Sequence, residues 1–131
     1  MLPVQVGDSH TIARQITARD VETFADLVGD HNPIHLDKAY AATTRFGRRI
    51  AHGMISAGLI SAAIAEGWPG AIYLSQTLEF RAPVYLDDRV TARVTVTAVR
   101  SDKPIVTYRT ACYNQDDDLL LEGQAVCLIP A

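Results

Sequence analysis

The second half of the chain alternates apolar and polar residues over long runs. At 90–98, valine and alanine occupy every second position, with threonine and arginine between them. Successive side chains of a strand point to opposite faces, so this period of two predicts a strand with one face on a core. Similar strands are predicted at 72–81, 105–113 and 119–129. The segments on either side of 105–113, Ser-Asp-Lys-Pro and Asn-Gln-Asp-Asp-Asp, are rich in turn-forming residues and predict antiparallel hairpins.

The first half shows helical periodicity instead. A short strand is predicted at 11–16, and Thr17 stands at the N-cap position of an amphipathic helix that Gly29 ends. The segment 53–66 is apolar on nearly every face and contains several small residues. It therefore predicts a helix that must be covered by other elements.

The segment between these two helices is predicted to be an ordered loop at 30–36. Pro33 has no N–H to donate and disfavours helical backbone at Asn32. Asp37 then follows at a position suited to cap a short helix at 38–43.

Together these elements predict an α+β fold. The order of strand, helix, loop, buried helix and long antiparallel strands is that of a single hot-dog fold, in which an antiparallel sheet wraps around a central apolar helix. We find no internal repeat or linker, so residues 1–131 are expected to form one domain. A sheet edge left unpaired invites a second copy, which predicts a homodimer with a continuous sheet.

Composition narrows the possible functions. The formal net charge is −3, and basic residues are scattered, so a nucleic-acid surface is not expected. The longest apolar stretch, 53–65, is shorter than the ~18 residues of a membrane span. Cys112 and Cys127 lie in apolar segments without a CxxC spacing, as expected of buried reduced thiols. With no recognisable targeting segment, we expect a cytoplasmic protein.

Reactive side chains concentrate in the segment Gly-Asp-His-Asn-Pro-Ile-His-Leu-Asp. Asp30 and His35 can converge from opposite sides of the turn at Pro33, around one small molecule such as water. A carboxylate and an imidazole suit water addition, because one group removes a proton from the attacking water while a proton reaches the neighbouring carbon. The alternatives are that Asp30 caps local N–H groups and that His35 is a core histidine bonded to a carbonyl.

Two other residues of this segment are left out of the mechanism. His31 is expected to face solvent, and the capping role explains Asp37. A metal held by these residues is disfavoured, because Pro33 prevents the helical spacing that would turn His31 and His35 toward one ion.

Gly53 opens the apolar helix and is the second candidate. The first N–H groups of a helix lack partners and carry partial positive charge, so they can hold a carbonyl oxygen that becomes an enolate. The alternative is that glycine only permits close packing. The chain contains no nucleophile elbow, no glycine-rich phosphate loop and no paired Cys and His, so a reaction without cofactor is expected.

The segment reads D-x-N-P-aliphatic-H-x-D and resembles the hydratase-2 motif of the MaoC-like (R)-specific enoyl-CoA hydratases. The resemblance extends through Ala-His-Gly-Met at 51–54, the stretch 72–84 and the turn at 102–105. It implies a homodimeric hot-dog enzyme that hydrates trans-2-enoyl-CoA to (R)-3-hydroxyacyl-CoA without cofactor. The short length is similar to that of bacterial hydratases supplying monomers for polyhydroxyalkanoate synthesis.

The resemblance also implies roles for particular residues. The catalytic pair falls on Asp30 and His35, the thioester-binding N–H falls on Gly53, and Asn32 suits a role in ordering the loop. Ser61 falls near the acyl pocket, and we expect further pocket side chains to include Ile64 and Val126. Alternative functions are a hot-dog thioesterase, a dehydratase acting on another acyl carrier and a non-catalytic subunit; the last would be expected to lack the Asp or the His.

Overall fold

Six strands and four helices make up the part of the chain that the computed structural model describes, residues 4–130. In chain order they are β1 Ser9–Gln15, α1 Ala18–Val28, α2 Pro33–Leu36, α3 Lys38–Ala42, α4 Gly53–Gly67, β2 Ile72–Gln76, β3 Glu79–Phe80, β4 Arg89–Val99, β5 Ile105–Tyr113 and β6 Leu119–Leu128.

The strands form one antiparallel sheet, and α4 packs against it. The order across the sheet is β1-β4-β5-β6-β2, with β3 also paired to β6. Helix α4 contacts β1, β4 and β5. Every second residue at the centre of β4 is buried, as the alternation predicts. Ile60, Ala63 and Ile64 of α4 join the same core. The predicted α+β arrangement of a sheet with a central apolar helix is confirmed.

The boundaries of α1 follow the predicted capping residues. Thr17 is the N-cap, and its side chain accepts a hydrogen bond from the Asp20 N–H while the Asp20 side chain accepts one from the Thr17 N–H. Gly29 ends the helix with φ of 83°, in the left-handed region that glycine adopts without a steric penalty. Asp37 caps α3 by accepting from the N–H of Tyr40.

The expectation of a continuous loop at 30–36 is wrong in part. Residues Pro33–Leu36 form one helical turn, α2, with Asn32 as its N-cap. Proline disfavours helical backbone only in the residue before it, and its fixed φ suits the first position of a helix. Pro33 therefore begins the turn.

The predicted strand at 72–81 is divided in two. β2 ends at Gln76 and β3 begins at Glu79. The Thr77 carbonyl lies where a side chain on Gly123 would otherwise be, so the backbone leaves regular pairing at this point. The division turns Phe80 and the residues after it toward the start of α4.

Both cysteines are free and buried, as predicted. Burial raises the pKa of Cys112 to about 12 and that of Cys127 to about 11. Within residues 4–130, no helix is long and apolar enough to cross a membrane.

Candidate active site

The turn α2 directs His35 toward the interior. The Asn32 side chain accepts a hydrogen bond from the Ile34 N–H at 3.2 Å, which starts the turn. Arg49 Nε donates to the His35 carbonyl at 2.6 Å, and the Ile50 N–H donates to the Ile34 carbonyl at 3.3 Å. These bonds hold the turn against the segment that precedes α4. His35 is consequently buried, with 8% of its surface exposed.

The hydrogen bond of the His35 ring defines its tautomer. Nδ1 lies 2.7 Å from the backbone carbonyl of Ile50. A carbonyl can only accept, so Nδ1 carries the proton and Nε2 presents a lone pair. Desolvation lowers the pKa of His35 below its ordinary 6.5, opposed by the bond to Ile50. The imidazole is therefore neutral at pH 7 and able to accept a proton at Nε2.

Asp30 follows the left-handed Gly29 and is exposed. Its carboxylate accepts a local hydrogen bond from the Asn32 N–H at 3.2 Å, so the alternative of local capping is also realised. That bond uses Oδ1 and leaves Oδ2 available to another donor. A single bond to a backbone N–H does not exclude a second role for the carboxylate.

A third residue, His52, joins Asp30 and His35. One possible ligand atom from each of the three lies within 4.8 Å of the others. His52 is 2% exposed, and its ring centroid lies 3.9 Å from that of His35. Sequence reasoning assigned His52 no role. The available signal was its place directly before Gly53, at the N-terminus of the apolar helix.

The donor atoms of the three residues all lie within 4.8 Å of one another, so a metal ion could also use them. The two imidazole rings are tilted by 31° to each other. A carboxylate beside imidazoles also suits proton transfer.

A cavity of about 280 Å³ extends from His35 past the start of α4. Gly53 and Ser56 line it from the helix, and Phe80 and Val84 line it from the segment after β3. The structure thus brings His35 and Gly53, 18 positions apart in the sequence, to one cavity. Ser56 is buried and faces this cavity.

Gly53 is the first residue of α4, so its N–H belongs to the group that lacks partners within the helix. The close-packing alternative also holds for this glycine. A Cβ at residue 53 would lie 2.5 Å from Cε1 of Phe80. Phe80 and Gly53 are thus neighbours in the cavity wall.

The three expected acyl-pocket residues do not meet at this cavity. Ser61 is exposed on α4, Ile64 is buried in the core, and Val126 is half-buried on β6. None of them lines the cavity within residues 4–130. Their role in an acyl pocket stays a prediction.

Comparison with known proteins gives matches along nearly the whole chain. It is 45% identical over 129 residues to the (R)-specific enoyl-CoA hydratase of Aeromonas caviae, covering 97% of this chain and 96% of that protein. It is 45% identical over 130 residues to the (R)-specific enoyl-CoA hydratase of Rhodospirillum rubrum, covering 98% and 90%. The solved structure of an (R)-hydratase from A. caviae involved in PHA biosynthesis superposes with a TM-score of 0.95 at 43% identity, covering 99% of this chain and 100% of the other.

Residues 5–114 match the family described as MaoC like domain. The match contains the cluster of Asp30, His35 and His52, and also Gly53, which lines one cavity with His35. With the hot-dog sheet and the full-length relatives, it establishes that this chain belongs to the MaoC-like family.

Proposed function

We propose that this protein is an (R)-specific enoyl-CoA hydratase that adds water to trans-2-enoyl-CoA. The observation that carries the proposal is the convergence of the Asp30 carboxylate and the His35 imidazole, with His35 lining one cavity with Gly53 at the start of α4. The names of the close relatives support this substrate and stereochemistry.

The two acceptors are suited to orient one water. A water that donates one hydrogen to Asp30 and the other to His35 directs its lone pair at a third position. In the proposed reaction that position is Cβ of the enoyl group. His35 takes a proton as the C–O bond forms, and the proton is returned to Cα on the same face. The product is the 3-hydroxyacyl thioester, and His35 ends neutral as it began.

Gly53 is proposed to hold the thioester oxygen. Attack at Cβ moves an electron pair toward the thioester carbonyl, so negative charge develops on its oxygen. A backbone N–H at a helix start stabilises that charge, and one such donor is typically worth ~100 to 1000-fold in rate. The proposed scheme balances with acid–base groups and a backbone donor alone, so it needs no cofactor.

The substrate carrier is proposed to be coenzyme A. Arg45 lines the cavity beside His35, and its guanidinium lies 4.8 Å from the centroid of the Phe46 ring. A cation at the cavity wall favours a ligand with phosphate groups. The (R)-3-hydroxyacyl-CoA product is a monomer for polyhydroxyalkanoate synthesis, which we propose as the destination of this product.

We also propose that the chain acts as a homodimer of single-domain subunits. Strand β2 ends the sheet within the described residues, and its Ile72 and Leu74 are 59% and 54% exposed. Met54, which follows Gly53 at the start of α4, is 53% exposed. A second copy placed against this edge would cover these apolar side chains and complete the backbone pairing.

The catalytic pair is tested by Asp30→Asn and His35→Asn, each assayed by the loss of crotonyl-CoA absorbance. Each variant should lose about 100-fold or more in kcat, because neither amide accepts a proton as the original group does. Unchanged circular dichroism controls for folding. If both variants kept near-normal turnover, the proposed mechanism would be wrong.

The main alternative is hydrolysis of the thioester. Hydrolysis frees a thiol, whereas hydration removes enoyl absorbance without releasing one. A thiol reagent added to the crotonyl-CoA assay therefore separates the two reactions. Thiol release at the rate of absorbance loss would favour a thioesterase. Faster turnover with a crotonyl acyl-carrier protein than with crotonyl-CoA would instead favour a dehydratase for that carrier.

A further inference from the structure

His52 is buried among the residues of the proposed site and has no role in the mechanism above. It lies on the face of His35, contacts the backbone of Asp30 and directly precedes Gly53. One side chain therefore contacts or adjoins each group assigned to the reaction. The inference below rests on the proposed hydratase function and assigns a further residue to it.

The first link joins His52 to Asp30. Nε2 of His52 lies 2.9 Å from the backbone carbonyl of Asp30. A carbonyl accepts only, so Nε2 carries the proton and Nδ1 the lone pair. Nδ1 is buried and has no hydrogen-bond partner among residues 4–130. The bond to the carbonyl therefore fixes the orientation of the His52 ring.

The second link joins His52 to His35. The ring centroids are 3.9 Å apart and the planes are inclined by 31°, so one imidazole covers a face of the other. Phe24 packs on His52 with centroids 4.9 Å apart. The titratable and charged groups around His35 are His52, which lowers its pKa, Asp30, which raises it, and Arg49 at the backbone carbonyl. His52 thus contributes to the burial that disfavours a charged His35.

The third link joins His52 to Gly53 through the peptide bond between them. His52 is the N-cap residue of α4, and its side chain makes no capping bond to the helix. A Ser, Thr, Asp or Asn at this position would bond to the first N–H groups of α4. The His52 side chain makes no bond to those groups and directs its N–H to the loop that carries Asp30. The bond therefore ties the carboxylate loop to the helix start.

We propose that His52 is a positioning residue of the hydratase site. Its Nε2–H holds the Asp30 loop at the N-terminus of α4, and its ring covers His35. Together the two contacts hold the carboxylate, the imidazole and the Gly53 N–H at fixed separations. Errors of ~1 Å in such separations are known to cost up to ~100-fold in rate.

Three substitutions separate the two contacts. His52→Gln keeps an N–H donor near the position of Nε2 but removes the ring. His52→Phe keeps an aromatic ring against His35 but removes the donor. His52→Ala removes both. His31→Gln is the matched control, because His31 is an exposed histidine in the same loop and bonds to Asp26 rather than to the site.

Kinetics with crotonyl-CoA test the link to Asp30. His52→Phe should lower kcat by about 30-fold with KM changed less than about threefold, and His52→Gln should recover to within about fivefold of the original enzyme. His31→Gln should match the original enzyme. If His52→Phe retained kcat, or if Gln failed to restore any of the loss, the bond to Asp30 would not position the site.

The pH dependence tests the link to His35. In His52→Ala, His35 gains access to water and its pKa should rise toward 6.5, so the acid limb of kcat/KM should move to higher pH. His52→Phe should move that limb less than His52→Ala does, because its ring still covers His35 and only the charge interaction with His52 is lost. Loss of packing alone would lower the melting temperature of both variants without this difference in the limb. An unmoved limb in His52→Ala would overturn the link.

Nitrogen NMR of the histidines provides a readout that does not need turnover. It should show His52 protonated on Nε2 and His35 on Nδ1, with the His35 titration shifted upward in His52→Ala but not in His31→Gln. A His52 protonated on Nδ1 would contradict the proposed bond. If the original enzyme failed to hydrate crotonyl-CoA, the proposed function would fail, and these titrations would still decide whether His52 positions Asp30 and His35.

Discussion

Substitution of Gly53 by alanine separates the two interpretations of this glycine, an oxyanion donor or a packing necessity. The added Cβ would lie 2.5 Å from Cε1 and 2.8 Å from Cδ1 of Phe80, whereas ordinary contact begins at 3.4 Å. The nearest ring atom must therefore move by about 0.9 Å, the difference between 3.4 and 2.5 Å. Phe80 is 56% exposed, so its ring has room to swing outward.

These numbers predict a small effect on stability and a large one on catalysis. Because the ring is free to move, and alanine is ~1 kcal/mol more favourable than glycine within helices, the free energy of unfolding should change by less than about 1 kcal/mol. The methyl group, however, occupies cavity space beside the N–H and keeps the thioester oxygen from it. Loss of one such donor should lower kcat by ~100-fold.

A double-mutant cycle identifies the cause. Crotonyl-CoA hydration is measured for Gly53→Ala, Phe80→Ala and the double variant, with melting temperature as the control for folding. If the methyl group blocks the thioester oxygen, removal of the Phe80 ring from Gly53→Ala should raise kcat by less than about threefold. Recovery of the double variant to the rate of Phe80→Ala would refute this reasoning, since the methyl group would then act only by displacing the ring.

Two further predictions follow from burial. Since burial lowers the pKa of His35 and only its neutral form accepts a proton, the midpoint of the acid limb of kcat/KM should lie below pH 6.5; a midpoint at or above 6.5 would contradict this. Since burial raises the pKa of Cys112 to about 12 and of Cys127 to about 11, a thiol reagent at pH 8 should label neither until the protein is unfolded; rapid labelling of the native protein would show that the thiols are accessible.

The sequence predicts best those elements whose pattern of burial repeats over many residues. The strand predicted at 105–113 matches β5, and the apolar helix predicted at 53–66 matches α4 to within one residue. Burial of every second residue leaves a period of two, and a helix covered on all sides leaves an apolar run. Both signals extend over many residues, so single exceptions do not hide them.

Two predictions, a single strand at 72–81 and a continuous loop at 30–36, differ from the structure for local reasons that the hydrophobic pattern does not contain. The division of 72–81 depends on the Thr77 carbonyl that approaches Gly123, a residue 46 positions away. The turn at Pro33 depends on the side chain of Asn32, which bonds to the Ile34 N–H instead of leaving it to water. In each case one contact decides the backbone conformation.

In the candidate site, too, the sequence indicates the residue types but not how they are placed. The types and spacing of Asp30 and His35 predict the two proposed reactive groups, and a helix that begins at Gly53 predicts the proposed donor. What brings them together is a set of bonds to backbone carbonyls, from His35 to Ile50 across 15 positions and from His52 to Asp30 across 22.

Every residue has a backbone carbonyl, so the side-chain type of Ile50 or Asp30 does not indicate that its carbonyl oxygen fixes a histidine tautomer. This explains why His52 was missed even though it lies next to Gly53. Its donor meets a backbone atom, and its ring meets another histidine only because α2 turns back toward α4. The tautomers of the two histidines, and with them the neutral Nε2 that the proposed reaction requires, follow from tertiary structure and not from spacing.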